Sequence, residues 1–266
     1  MVSRALMASL LALSVAAQAW AGLSFTAVTK SEGGRGRGDQ GGTAKVAADG
    51  ERLRMESSAK GRGEAEGYML TQDGGKTLYM VNPKDKTYMK WDVEGMMGGA
   101  GGMMQMAKGM MGMKFSDVKV EKVLEEKGEP ILGYPTTHYR FTTSYQMEMN
   151  FMGRKNVSTV VQEDDLWATS KIKLSTLAVW TGKQLPTTGD EELDKLMKSE
   201  RAKVEGLPLR TVMTQTTTDA AGKTQVSKTT MEVTEVKEGA MDAALFELPA
   251  GYQEMQMPTM PPMPAR

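Results

Sequence analysis

The chain reads as a mainly β (α+β) protein, an antiparallel sheet interrupted by two helical insertions. Three observations predict this. Apolar and polar residues alternate at period two in short segments along most of the length, as half-buried strands require. Turn signals such as Asp73-Gly74-Gly75, Pro83-Lys84-Asp85-Lys86 and Asp219-Ala220-Ala221-Gly222 separate those segments at hairpin spacing. Two stretches, 95–113 and 188–203, break the alternation with helical periods. All-β chains of about this length often form one domain, which is the organisation expected for residues 22–253.

Composition narrows the class. The 33 basic and 33 acidic side chains cancel, so no net field steers nucleic acid or an anionic membrane. With no cysteine there is no disulfide, no thiolate nucleophile and no Cys-based zinc site. Methionine, at 25 residues, is in large excess and asks for an explanation.

Taken in order, the chain opens with Arg4 and an apolar run from Ala5 to Ala17, too short to span a bilayer. Ala19-Trp20-Ala21 fits a small-x-small cleavage pattern, with Ala17-Gln18-Ala19 competing. Residues 1–21 are therefore expected to be a signal peptide, and the mature chain to be periplasmic or secreted and not an integral membrane protein. Leu23 to Lys30 alternates as a strand. Gly36, Gly38 and Gly41 match the spacing of a dinucleotide fingerprint, but that motif needs a helix after it. Thr43 to Ala48 reads as a strand instead, so the match is discounted. Arg37-Gly38-Asp39 has loop composition and carries no further weight. Glu51 to Ser58 puts Leu53 and Met55 on one face, opposite Arg52, Arg54 and Glu56. Tyr68 to Thr71, Thr77 to Asn82 and Thr87 to Trp91 complete a meander.

From Gly95 to Met113 a seven-residue repeat is read almost three times, Gly-Met-Met at each start. Seven residues return a helix nearly to the same azimuth, with a drift of about 20°. A helix would gather Met96, Met97, Met103, Met104, Met106, Met110, Met111 and Met113 into one broad stripe. Each interior glycine costs such a helix about 1 kcal/mol against alanine, so it must pack on something apolar or move. The expectation is a Met-faced helix lying across the sheet and closing an apolar cavity. A core helix filled with a flexible residue is the plainer reading of the same pattern.

Beyond it, Ser116 to Val123 alternates again. Gly133-Tyr134-Pro135 breaks the chain, and Thr137 to Met152 forms a long strand with Tyr145, Met147, Met149 and Phe151 on one face. Gly153 to Asn156 reads as a turn into Val157 to Gln162. Glu163-Asp164-Asp165 reads as a solvated turn, and Leu166-Trp167-Ala168 as the start of another extended piece. Asn156-Val157-Ser158 is a glycosylation triplet, relevant only in a eukaryotic secretory pathway. The second helix opens at a capping box, Thr188-x-x-Glu191, carries acids early and bases late, and presents Leu193, Leu196 and Met197. Gly206 is its expected stop. Leu207 to Thr218 and Lys223 to Val236 make a hairpin. Leu245-Phe246-Glu247-Leu248-Pro249 closes the domain, and residues 254–266 form a Pro- and Met-rich tail expected to be disordered.

This layout resembles secreted bacterial domains related to the lipoprotein carriers LolA and LolB, in particular a family of unknown function. The resembling words are Lys86-Thr87-Tyr88-Met89-Lys90-Trp91, Gly133-Tyr134, Leu207-Pro208-Leu209 and Leu245-Phe246-Glu247-Leu248-Pro249-Ala250-Gly251-Tyr252. The resemblance implies a single, strongly curved, unclosed antiparallel sheet (a half-barrel) with the two helices covering its concave side. In the carriers that side holds acyl chains. The glycine-laden Met segment departs from the carriers' lids, and no catalytic residue is implied.

Chemistry-bearing patterns are sparse. His138 is the only histidine, reads as a surface or strand-face residue, and would have to serve any triad. Glu163 to Asp165 lack the ligand spacing of a calcium loop. No phosphate loop, cofactor motif or basic-aromatic platform appears. The expected function is non-enzymatic: binding a hydrophobic small molecule, lipid or lipoprotein acyl chain under the eight repeat methionines. Two alternatives use the same residues. Thioethers of the repeat and the tail would hold Cu(I), for which soft sulfur donors are selective. Or the Met face would dock a partner protein.

Overall fold

The computed structural model describes residues 22–33, 40–59, 67–93, 114–151, 154–172 and 191–255. They form twelve strands: β1 (Gly22–Gly33), β2 (Gln40–Asp49), β3 (Arg52–Ala59), β4 (Tyr68–Thr71), β5 (Thr77–Asn82), β6 (Thr87–Asp92), β7 (Lys114–Lys127), β8 (Thr137–Phe151), β9 (Arg154–Thr169), β10 (Leu207–Asp219), β11 (Thr224–Gly239) and β12 (Gln253–Glu254). One helix, α1 (Glu191–Arg201), lies against β7, and a short 3-10 turn spans Ala243–Phe246. All twelve strands belong to one sheet, in the order β12-β6-β5-β4-β3-β2-β1-β11-β10-β9-β8-β7. The ends of that order do not pair, so the sheet is unclosed. The mainly β, single-sheet expectation holds.

Two meanders meet at the pairing of β1 with β11. Neighbours are antiparallel throughout, apart from β12, which runs parallel to β6. The two edges differ. The β12 edge is two residues long. The β7 edge is fourteen residues long and carries Lys114, Lys119, Lys122 and Lys127. Its register against β8 shifts twice, between Ser116 and Lys119 and between Lys122 and Leu124. Charges and bulges of this kind keep an exposed edge from pairing with another chain.

Alternation gives the sheet two faces. On the front face Leu23, Phe25 and Ala27 of β1 pack with Val46, Ala48, Leu53, Leu207, Leu209 and Val233. Tyr139, Phe141, Leu166 and Ala168 form a second cluster with Val204. On the back face Tyr68, Leu70 and Val81 are covered by Phe246, whose ring is fully buried. The C-terminal strap is fastened there by Gln72, which donates to the Phe246 carbonyl at 2.6 Å. Arg52 lies over the Phe246 ring and Arg54 over Tyr68. Burial raises the Tyr68 phenol pKa, with Arg54 opposing.

Three local expectations are corrected, and one is narrowed. Glu163-Asp164-Asp165 is not a solvated turn: it lies inside the sixteen-residue β9, with Asp164 and Asp165 both buried. Arg154 to Asn156 belong to β9 as well, with Arg154 paired to Phe151. The helix stops at Arg201, before Gly206 is reached. Gly206 instead has φ +83°, and a Cβ there would sit 1.9 Å from the Thr169 carbonyl oxygen, so it serves the entry of β10. His138, expected at the surface or on a strand face, is on a strand face and buried at 9% exposure.

Residues 1–21, 94–113, 188 and 256–266 lie outside the described residues. The signal peptide, the Met-rich helix, the capping Thr188 and the tail beyond Met255 fall there. No described helix is long and apolar enough to cross a membrane.

Candidate functional site

All eight methionines expected to bind ligand, Met96, Met97, Met103, Met104, Met106, Met110, Met111 and Met113, lie outside the described residues. The strand register reveals a second methionine array. Phe25 pairs with Val236 on one side and Val46 on the other. Val46 pairs with Met55, Met55 with Met69, Met69 with Met80 and Met80 with Met89. Seven strands thus contribute one apolar side chain each to a single front-face row. Directly opposed side chains on neighbouring strands have Cβ atoms about 4.5–5.5 Å apart.

Burial varies along the row. Phe25 and Val46 are 3% and 2% exposed, Met55, Met69 and Met89 half-buried, and Met80 is 39% exposed. One rung along, Leu78 pairs with Trp91, whose indole Nε1 is buried with no hydrogen-bond partner among the described residues. The other flank of the front face is also half-buried. Phe115 meets Tyr145 edge-on with ring centroids 5.5 Å apart, beside Met147 and Met149. Burial raises the Tyr145 phenol pKa. At the far tip of β1, β2 and β3 a cleft of about 460 Å³ opens beside Thr29, Ser31, Gly42 and Ala59. Gly42 lets the strands close there: a Cβ would lie 2.6 Å from the Ser58 carbonyl oxygen.

The back face carries a row of paired charged groups. Glu126 pairs with His138, His138 with Trp167, Trp167 with Arg210 and Arg210 with Glu232, one row across five strands. The His138 ring stacks on Trp167 at 4.2 Å, with 3° between planes. Its Nε2 lies 2.6 Å from Asp165 Oδ1, and its Nδ1 3.5 Å from Glu126 Oε1. Arg140 Nε donates to the same Asp165 oxygen at 2.8 Å, and that bond raises the Arg140 pKa further. Arg210 lies over the other side of Trp167 and donates to Glu232 at 2.7 Å, with Glu129 as its second partner. The hydrogen bond to Glu232 raises the Arg210 pKa, against burial. Gly128 is needed where the following loop crosses: a Cβ would lie 2.4 Å from Thr136 Oγ1 and 2.9 Å from Trp167 Cδ1. Both His138 nitrogens face carboxylates, so the ring joins three strands rather than standing beside a nucleophile. Among the described residues no three His, Cys, Asp or Glu side chains gather to hold a metal ion.

Residues 39–252 match the model of a domain of unknown function, DUF4412. The chain belongs to the DUF4412 family. The expected membership of a family of unknown function is thereby met. A comparison with curated proteins finds no match for this DUF4412 chain. Among solved structures it aligns with one named for an outer membrane lipoprotein-sorting protein domain from Vibrio parahaemolyticus. The alignment covers 86% of this chain and 90% of that one, at 10% identity and a TM-score of 0.28. A superposition that loose says nothing about what the DUF4412 chain binds.

Sequence reading missed the row of Met55, Met69, Met80 and Met89 because the four residues have no common spacing along the chain. The available signal was phase. Each sits among alternating apolar residues of its own strand, as Met55 does two residues after Leu53.

Proposed function

We propose that this chain is an exported, non-enzymatic binding protein that holds a lipid or other hydrophobic ligand on the front face of its open sheet. One observation carries the reading: an apolar row seven strands wide passes from the closed core at Phe25 to the exposed thioether of Met80. Met80 and Met89 extend the apolar row beyond the buried core onto the outer strands β5 and β6. The repeat of Met96 to Met113 follows directly on β6, the strand of Met89 and Trp91, and adds thioether surface next in the chain. Methionine suits the task because its unbranched, polarizable side chain repacks around varied apolar shapes.

Burial of an acyl chain can offset the cost of association. Burying about ten methylenes at roughly 0.8 kcal/mol each gives about 8 kcal/mol. That is comparable to the roughly 4–15 kcal/mol cost of association, so affinity depends on how much of the flank the ligand covers. The test is organic extraction of the purified chain followed by mass spectrometry. It is paired with rebinding of a long-chain fatty acid to the delipidated protein. Copurified lipid or saturable rebinding is expected; neither extractable lipid nor rebinding would overturn the reading.

A further inference from the structure

We infer that Met55, Met69, Met80 and Met89 form a binding site for a soft monovalent metal ion, Cu(I) or Ag(I), through their thioether sulfurs. This site is separate from the methionines of residues 96–113 and of the tail, and it does not depend on the lipid reading.

Four adjacent strands each place a methionine at the same rung and on the same face. Opposed Cβ atoms stand about 4.5–5.5 Å apart, and each sulfur lies two bonds beyond its Cβ. The sulfurs of three neighbouring rungs can therefore reach one ion held over the middle rung. A thioether is a soft donor and selects Cu(I) over hard cations such as Mg²⁺ or Ca²⁺.

The surroundings agree with that choice. On the same face, two residues along each strand, stand Leu53, Ser57, Thr71, Leu78, Asn82, Thr87 and Trp91. None carries a charge, so no carboxylate draws a hard cation to the row and no amine repels a cation from it. Met55 and Met69 also pack against the core cluster, but packing alone does not call for thioethers. Strands favour β-branched and aromatic side chains, as the inner part of the same row shows with Val236, Phe25 and Val46. The methionines occupy the outer four strands of the row, with Met80 at 39% exposure and Met55, Met69 and Met89 half-buried.

The test titrates Ag(I), which resembles Cu(I) and needs no reductant, into the full chain with its methionine methyl groups ¹³C-labelled. Single Met→Leu variants assign the four methyl signals. The expected result is that these signals shift together on addition of one ion, with affinity at least about tenfold tighter than for free methionine, because folding has already ordered the donors. In the double variant Met69→Leu with Met80→Leu the shared shift is lost, while the circular dichroism spectrum stays unchanged, leucine being apolar and of similar volume. Signals that do not move, or that move separately with the affinity of free methionine, overturn the assignment. Failure of the parent chain to bind fatty acid with the metal response intact would count against the lipid reading alone.

Discussion

The row from Val236 to Met89 and the row from Glu126 to Glu232 cross the same sheet on opposite faces, and they hold it by different forces. The front row is bound by apolar burial and dispersion, which have no preferred direction. Neighbours there exchange for others of similar volume at small cost. The back row is bound by directed contacts: a stacked imidazole, a guanidinium over an indole, and carboxylates that each take specific donors. Its members are not interchangeable, since removing one strands its partner. The contrast shows how one sheet combines an adaptable surface with a fixed one. The back row, running over β7 to β11, sets the register against which the front face stays soft.

The largest effect that tests this contrast is expected at Phe25. Phe25→Ala opens a cavity in the closed part of the front row and should cost about 3–5 kcal/mol, read as a lower urea midpoint at unchanged slope. A loss below about 1 kcal/mol would mean that the row is not a packed core. Next comes Asp165→Ala, which leaves His138 and Arg140 without their shared acceptor and should cost roughly 1–3 kcal/mol in the same assay. A neutral outcome would show that water replaces the carboxylate and that the back row is not a fixed network.

The third effect is a pH dependence located on the front face. Burial raises the Tyr145 phenol pKa above its unfolded value of about 10. The folded state then keeps its proton where the unfolded state loses it. Stability from this group is fully present below about pH 10 and is lost as pH rises toward the folded value. Tyr145→Phe should therefore flatten the alkaline limb of the stability curve and leave it unchanged at neutral pH. An unaltered alkaline limb would place the ring in solvent. The smallest effect belongs to Met80→Leu, which should stay within about 0.5 kcal/mol of the parent by thermal melting, as an exposed like-for-like change does. A larger loss would mean that the outer row is packed as tightly as its centre.

Much of the sheet was legible in the sequence because strand formation leaves a local trace. Tyr68–Thr71, Thr77–Asn82 and the hairpin around Asp219 fall where alternation and turn residues put them. The acidic run at Glu163 to Asp165 misled for a physical reason. Aspartate is depleted in strands, and only the cross-strand partners His138 and Arg140 explain Asp165 inside one. Those partners are 27 and 25 residues away, beyond any window of local pattern. β12 carries no periodic signal, since two residues cannot show one, and it exists because the strap under Phe246 delivers it to β6. The methionine row belongs to the same class of feature: four strands with individually ordinary sequences create it only through their register.

The claim that the front face is a surface for apolar ligands is tested most directly by moving one charge between the faces. Met80 on the front face and Val226 on the back are 39% and 51% exposed, so either accepts lysine without a folding penalty. Binding of a fluorescent long-chain fatty acid should weaken by about tenfold or more in Met80→Lys, equivalent to about 1.4 kcal/mol, and remain at the parent level in Val226→Lys. Equal binding by both variants, or equal loss in both, would contradict the account.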